Sequence, residues 1–235
     1  MKNKKKTMKY IHTLLVISLI GLLSSCVGDD FIEDRIDPVL RIDNAIDSLE
    51  VGTDYQFEFT YFNNIGQEEA TEVVWESSDP SIISITSSGL ASALQQGDVV
   101  LTATVDGVDD QTLQSLMVTA GASTTEIEVS TVRSGVIQTT TFYDLEGDFE
   151  LIQNDDGTLT LDIADNYRAS SGLPGLYVYL TNNPRSISGA FEIGEVNVFS
   201  GAHSFEIDGV ELNQFNYLLY FCKPFNVKVG DGEIN

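Results

Sequence analysis

After Cys26 the hydrophobic positions fall in short alternating runs rich in Val, Ile, Thr, Tyr and Phe, and clusters of Gly, Asp, Asn and Ser separate the runs. A period of two predicts β-strands, and helical periodicity is nearly absent. In Tyr55-Gln56-Phe57-Glu58-Phe59-Thr60-Tyr61 the aromatics share one face. Val99, Leu101, Ala103 and Val105 do the same in the next long run. Asp155-Asp156-Gly157 lies between Phe149-Glu150-Leu151-Ile152 and Leu159-Thr160-Leu161-Asp162-Ile163, which predicts a hairpin closed by a type I′ turn. Tyr217-Leu218-Leu219-Tyr220-Phe221-Cys222 is apolar on both faces and predicts a central strand. Alternation puts Cys222 on the face of Leu218 and Tyr220, with Lys223 pointing the other way. Pro224 cannot donate to a ladder, so the strand is expected to end there, with the Cys222 thiol within reach of solvent.

The expected fold class is all-β, with two β-sandwich-like domains in tandem after a lipoprotein signal peptide. The small polar stretch Ala120-Gly121-Ala122-Ser123-Thr124-Thr125 has little to bury and is expected to be the linker. It divides a first domain, 39–119, from a second, 126–235. Each is long enough to bury a core without disulfides.

The N-terminus carries an address. Lys2 to Lys9 form a cationic segment, and Ile11 to Leu23 is mostly apolar but short of the roughly 20 residues a spanning helix needs. The stretch ends in Leu23-Ser24-Ser25-Cys26, which resembles the lipobox of bacterial lipoproteins. That resemblance implies a signal peptide over 1–25 and lipid on Cys26, which becomes the first mature residue. Residues 26–38 then form an acidic tether (Asp29, Asp30, Glu33, Asp34). The acidic cluster is similar to the export signal of lipoproteins sent to the outer face of the outer membrane. The expected location is the outer membrane, lipid-anchored and cell-surface exposed, with the membrane as partner through Cys26. A solvated tether with no receptor explains the same residues.

Charge narrows the function. The whole chain carries 12 Lys+Arg against 36 Asp+Glu. Cutting before Cys26 removes 25 residues and five lysines, leaving 210 residues with seven basic and 36 acidic groups, net −29. Such a surface repels phosphate, and nucleic acid is excluded as a partner. The 12 Phe and 9 Tyr argue against a disordered acidic chain. Of two cysteines, a lipidated Cys26 leaves Cys222 without an intramolecular partner, which is unusual outside the cytoplasm.

Within 74–107, Trp75-Glu76-Ser77-Ser78-Asp79-Pro80-Ser81 is followed by Ile85, Gly89-Leu90-Ala91, Gly97 and Leu101-Thr102-Ala103-Thr104. This order resembles the group 2 bacterial immunoglobulin-like domain, which implies a spacer that lifts the next domain off the membrane, or an adhesion module. Asp79-Pro80 initiates a turn, and Trp75 is expected as a core anchor.

In the last 100 residues, Leu173-Pro174-Gly175-Leu176-Tyr177-Val178-Tyr179-Leu180 and Cys222-Lys223-Pro224-Phe225-Asn226-Val227 resemble blocks of the DM-thirteen, or electron-transfer DM-thirteen, family. The resemblance implies redox chemistry at Cys222, as a bare thiol or as ligand to a prosthetic group, with Lys223, Pro224, Tyr177 and Tyr179 around it. The His that often precedes the family's first Gly block is absent here, where Thr141-Phe142-Tyr143-Asp144 stands. A nearby Lys⁺ raises the thiolate fraction of a cysteine, and apolar burial lowers it. The bland reading is a small core cysteine and ordinary packing of Tyr177 and Tyr179.

Other chemistry is thin. His203 is the one mature His, too few for a multi-His metal centre, and no Gly-x-Ser-x-Gly elbow or phosphate-cradling loop is present. Asp106-Gly107-Val108-Asp109-Asp110 lacks the spacing of a calcium loop and reads as a solvated turn. The sequence requires no cofactor and has no constellation of a conventional enzyme. Two functions stay open: thiol redox or electron transfer with an unknown redox partner, and a surface adhesion or ligand-binding module without redox activity.

Overall fold

A computed structural model describes residues 34–106, 111–127 and 130–235. The expected signal peptide, Cys26, the expected tether up to Glu33, and residues 107–110 of the stretch expected as a solvated turn lie outside the described residues. Residues 34–235 form one compact unit with separate hydrophobic cores in its N-terminal and C-terminal halves. The described residues are all-β, with a single short 3₁₀ turn and no α-helix.

The first sandwich comprises β1 (Val39–Ile42), β2 (Ile46–Glu50), β3 (Asp54–Gln56), β4 (Phe59–Phe62), β5 (Val74–Ser77), β6 (Ile83–Ile85), β7 (Leu90–Ala93), β8 (Gly97–Asp106), β9 (Gln111–Gly121) and β10 (Thr125–Glu126). One sheet runs β10-β2-β9-β8-β5; β3-β7-β6 and the pair β1-β4 supply the rest. Val99, Leu101, Ala103 and Val105 all face the core, as their alternation predicts. Trp75 is buried and stacks on Phe57 with ring centroids 5.4 Å apart.

Two segments depart from the sequence expectation. The run Tyr55–Tyr61 is not one strand. The β7 partner ends opposite Gln56, so the backbone changes sheets at Phe57-Glu58 and continues as β4 against β1. Its aromatics nevertheless all point into the same core, because the side-chain parity survives the switch. The segment 120–125 is not a free linker. Thr124 Oγ1 accepts from Glu50 N–H at 3.1 Å, the Ser123 carbonyl accepts from Ser48 Oγ at 2.9 Å, and β10 pairs with β2. Small polar residues with little to bury still carry backbone groups that an edge strand satisfies.

The second domain comprises β11 (Val132–Thr139), β12 (Leu145–Gln153), β13 (Leu159–Ile163), β14 (Arg168–Ala169), β15 (Leu176–Thr181), β16 (Phe191–Glu195), β17 (His203–Ile207), β18 (Tyr217–Cys222) and β19 (Val227–Glu233). Its strands run β16-β15-β18-β19-β11-β12-β13-β17 in one sheet, with β14 beside β12. Inward residues from β11, β12, β13, β15, β17, β18 and β19 join one core, so the sheet rolls around it. The β12–β13 hairpin forms where predicted, with a different turn. Gly157 is left-handed (φ 86°) but Asp156 is not, and Asn154 N–H bonds the Thr158 carbonyl. A primed two-residue turn needs positive φ at both central positions. Here a longer loop forms instead, held by Asp156 accepting from Thr158 N–H and Oγ1 (3.1 and 2.7 Å).

Candidate functional site

The site suggested by the sequence centres on the end of β18. Its apolar residues place β18 between β15 and β19, with both faces covered. Leu218, Tyr220 and Cys222 point into the large core; Leu219 and Phe221 point outward into a smaller cluster with Tyr179. Cys222 is the last strand residue, opposite Leu176, and Lys223–Phe225 turns away as a 3₁₀ segment. The strand end therefore falls where Pro224 places it.

The thiol, however, is enclosed. Cys222 is 2 % exposed. Its Sγ donates to the Pro174 carbonyl at 3.2 Å, and the rest of its surroundings is the apolar core. The adjacent turn closes over it: Lys223 N–H bonds the Gly175 carbonyl at 3.0 Å, and the Pro224 ring packs on Gly175. A Cβ at Gly175 would stand 2.8 Å from two Pro224 ring atoms, and its φ of 66° disfavours any L side chain, so Gly is the residue that permits this seal.

Tyr177 and Tyr179 do not flank the thiol. Both lie on the outer face of the sheet, because Leu176, opposite Cys222, takes the inner face. Lys223 joins them there. Its Nζ sits 4.7 Å from the Tyr177 ring centroid and 2.7 Å from Glu192 Oε2, and Tyr179 Oη donates to the same oxygen at 2.9 Å. The hydrogen bond from Lys223 holds Glu192 below the usual carboxylate range, and Glu192 in turn raises Lys223. Burial, reinforced by Glu192, pushes the Tyr179 phenol well up. The charge of Lys223 is thus spent on Glu192 across the sheet from the sulfur.

A second group shares the inner face with Cys222. Tyr220 and Tyr167 are fully buried with ring centroids 6.1 Å apart, and neither hydroxyl meets a hydrogen-bond partner among the described residues. Burial pushes Tyr167 up to about 12 and raises Tyr220 further. His203 begins β17, packs edge-on against Tyr167 at 4.9 Å, and meets the Gly201 carbonyl through Nδ1 at 3.0 Å. Its Nε2 is buried without a partner. Sequence reading singled out His203 as the one mature His but missed Tyr167, which gives no signal beyond being one aromatic in a loop.

Open space lies elsewhere. A cleft of about 830 Å³ lines the outer face of β11, β12 and β19, bounded by Ser134, Gln138, Asp148, Glu150, Asp231 and Glu233. A second, of about 500 Å³, opens between the two sandwiches, with Arg41, Thr60, Gln67, Asn182, Glu211 and Gln214 among its walls. Neither reaches Cys222. Among the described residues no group of three or more His, Cys, Asp or Glu is arranged to hold a metal ion, and no helix is long and apolar enough to cross a membrane.

The walls of the second cleft are pinned by the few buried polar side chains. Asn183 Nδ2 donates to the Asp34 and Ile65 carbonyls, and Asn182 Nδ2 to the Gln214 carbonyl at 3.0 Å. Arg41 of the first sandwich donates to the Asn213 carbonyl, and Arg133 of the second to Asn213 Oδ1 at 2.7 Å. Burial and the neighbouring Arg41 charge lower Arg133. None of these residues stood out in the sequence.

Compared with family models and with curated proteins, the chain matches none.

Proposed function

We propose that this protein is a lipid-anchored ligand-binding module of the cell surface that performs no thiol redox chemistry. The observation that carries this reading is the enclosure of the Cys222 sulfur, with Lys223 turned away from it. A redox thiol must be met by its oxidant and must gain thiolate character; apolar burial opposes both. The surface, in contrast, offers open clefts, one of them between two sandwiches joined by hydrogen bonds. Sites of this kind favour domain boundaries. The lipobox-like Leu23-Ser24-Ser25-Cys26 and the acidic stretch after it support the surface address. The immunoglobulin-like pattern around Trp75 agrees with an adhesion or binding role.

The redox reading keeps one supporting observation besides the DM-thirteen resemblance. The sulfur has a polar neighbour, the Pro174 carbonyl, at a strand end beneath a single turn. Thiol labelling of the purified mature protein separates the two. Under native conditions Cys222 should stay unlabelled, reacting stoichiometrically only after denaturation, and no chromophore should copurify. Prompt native labelling, or a bound coloured group lost in Cys222→Ala, would restore electron transfer as the function.

A further inference from the structure

The first domain reads in the sequence as a spacer, standing between the membrane and the second domain. The contacts of Asp34 and Arg35 argue for a different arrangement. Asp34 and Arg35 do not lie at a free tip of the first sandwich. Their carbonyls accept hydrogen bonds from Asn183 Nδ2 and Arg185 Nη1 of the second domain, the latter at 2.9 Å. Ile36 N–H bonds the Asn64 carbonyl at 2.8 Å, so the next residue is tied to the first domain. The chain thus enters at the seam between the sandwiches.

Close packing fixes that seam. A Cβ at Gly66 would stand 2.8 Å from the Asn182 carbonyl carbon, so the loops 63–67 and 182–185 touch backbone to backbone. Arg41 from the first sandwich and Arg133 from the second both donate to Asn213, one to its carbonyl and the other to its side-chain oxygen.

Chain length then limits where the seam can lie. Cys26 and Asp34 are eight residue steps apart, which span at most ~28 Å when fully extended. We propose that the two sandwiches sit side by side at the membrane, suspended from their common seam. The loop 182–189 of the second domain is then as close to the lipid surface as any part of the first. This rests on the lipid anchoring of Cys26 proposed above. Charge agrees with the orientation. Of the seven basic residues in the mature chain, Arg35, Arg41, Arg133 and Arg185 gather at the seam, interspersed with Asp34, Asp43, Glu68 and Glu211. Elsewhere the surface is dominated by carboxylates. The seam is therefore the side that anionic headgroups repel least.

A distance ordering tests it. Lipidated protein is reconstituted in phosphatidylcholine vesicles containing an acceptor-labelled lipid, and a donor dye is placed by Ser188→Cys at the seam, Phe142→Cys beyond the far end of β11, or Gln96→Cys at the start of β8. All three positions are exposed, and the enclosed Cys222 keeps background labelling low; a Cys222→Ala background provides the control. Ser188 should give the most efficient transfer, and Phe142 should lie roughly 20 Å farther out, about six residues of strand. If Gln96 lies nearest and Ser188 and Phe142 are both farther, the first domain is a stalk and the inference is overturned. Intact mass separates this from failure of the anchor: without a diacylglyceryl group on Cys26 the parent reading fails, whereas a lipidated protein with the stalk ordering refutes only the side-by-side arrangement.

Discussion

The two faces of β18 carry opposite chemistry on one six-residue strand. On the inner face Leu218, Tyr220 and Cys222 enter a core whose polar atoms find few partners: the Tyr220 and Tyr167 hydroxyls have none, and the thiol has one carbonyl. On the outer face Leu219 and Phe221 lie under Tyr177 and Tyr179, and the Tyr179 hydroxyl and the Lys223 ammonium converge on Glu192. The contrast teaches that residues adjacent in a motif need not act together. Cys222 and Lys223 are neighbours in sequence and are separated by the thickness of a sheet.

The largest effect expected from breaking this comparison is on the inner face. Tyr220→Ala removes a fully buried ring from the centre of the core and should cost about 3–5 kcal/mol in urea unfolding. Alkaline pH attacks the same residues. The folded-state values of Tyr167 and Tyr220 lie above the ordinary tyrosine value, so the unfolded chain releases its phenolic protons first. Their contribution to stability is complete below pH ~10 and is lost as pH rises toward and beyond about 12, the value reached by Tyr167. Unfolding followed against pH should show this loss, and Tyr220→Phe should reduce it.

Smaller changes sharpen the contrast. Cys222→Ser exchanges a weakly polar sulfur for a hydroxyl in the same apolar setting and should destabilise by about 1 kcal/mol, the Pro174 carbonyl sparing the rest. A gain in stability would mean that the position is wetter than its burial implies. The two tyrosines should then differ in sign. Tyr179→Phe removes the donor to Glu192 and should cost roughly 0.5–1 kcal/mol, reduced because Glu192 is partly solvated. Tyr220→Phe removes a hydroxyl with no partner and should be neutral or stabilising by up to ~1 kcal/mol. Equal losses at both positions would show that a buried partner serves Tyr220 as well.

Much of the candidate site was legible one strand at a time. Alternation put Cys222 with Leu218 and Tyr220, put Lys223 on the other face, and ended the strand at Pro224, because side-chain direction along a strand is a local property. The pairing of Tyr177 and Tyr179 on one face was equally readable. Which face of β15 meets which face of β18 was not, since that is set by the register Leu176↔Cys222, between residues 46 positions apart. The hairpin at Asp155-Asp156-Gly157 was visible, but its turn was not, because Asp156 chose to bond Thr158 instead of taking positive φ.

The sequence by itself determined an all-β chain, the inward faces of its strands, and Trp75 in the first core. These follow from period-two patterning and composition, which need no knowledge of distant partners. Only the tertiary structure decided that the Lys223–Phe225 turn closes on Gly175 over the Cys222 sulfur and that Asn183 and Arg185 reach back about 150 residues to hold Asp34 and Arg35. Accessibility and seam contacts belong to surfaces brought together by folding, and no local spacing of residues encodes them.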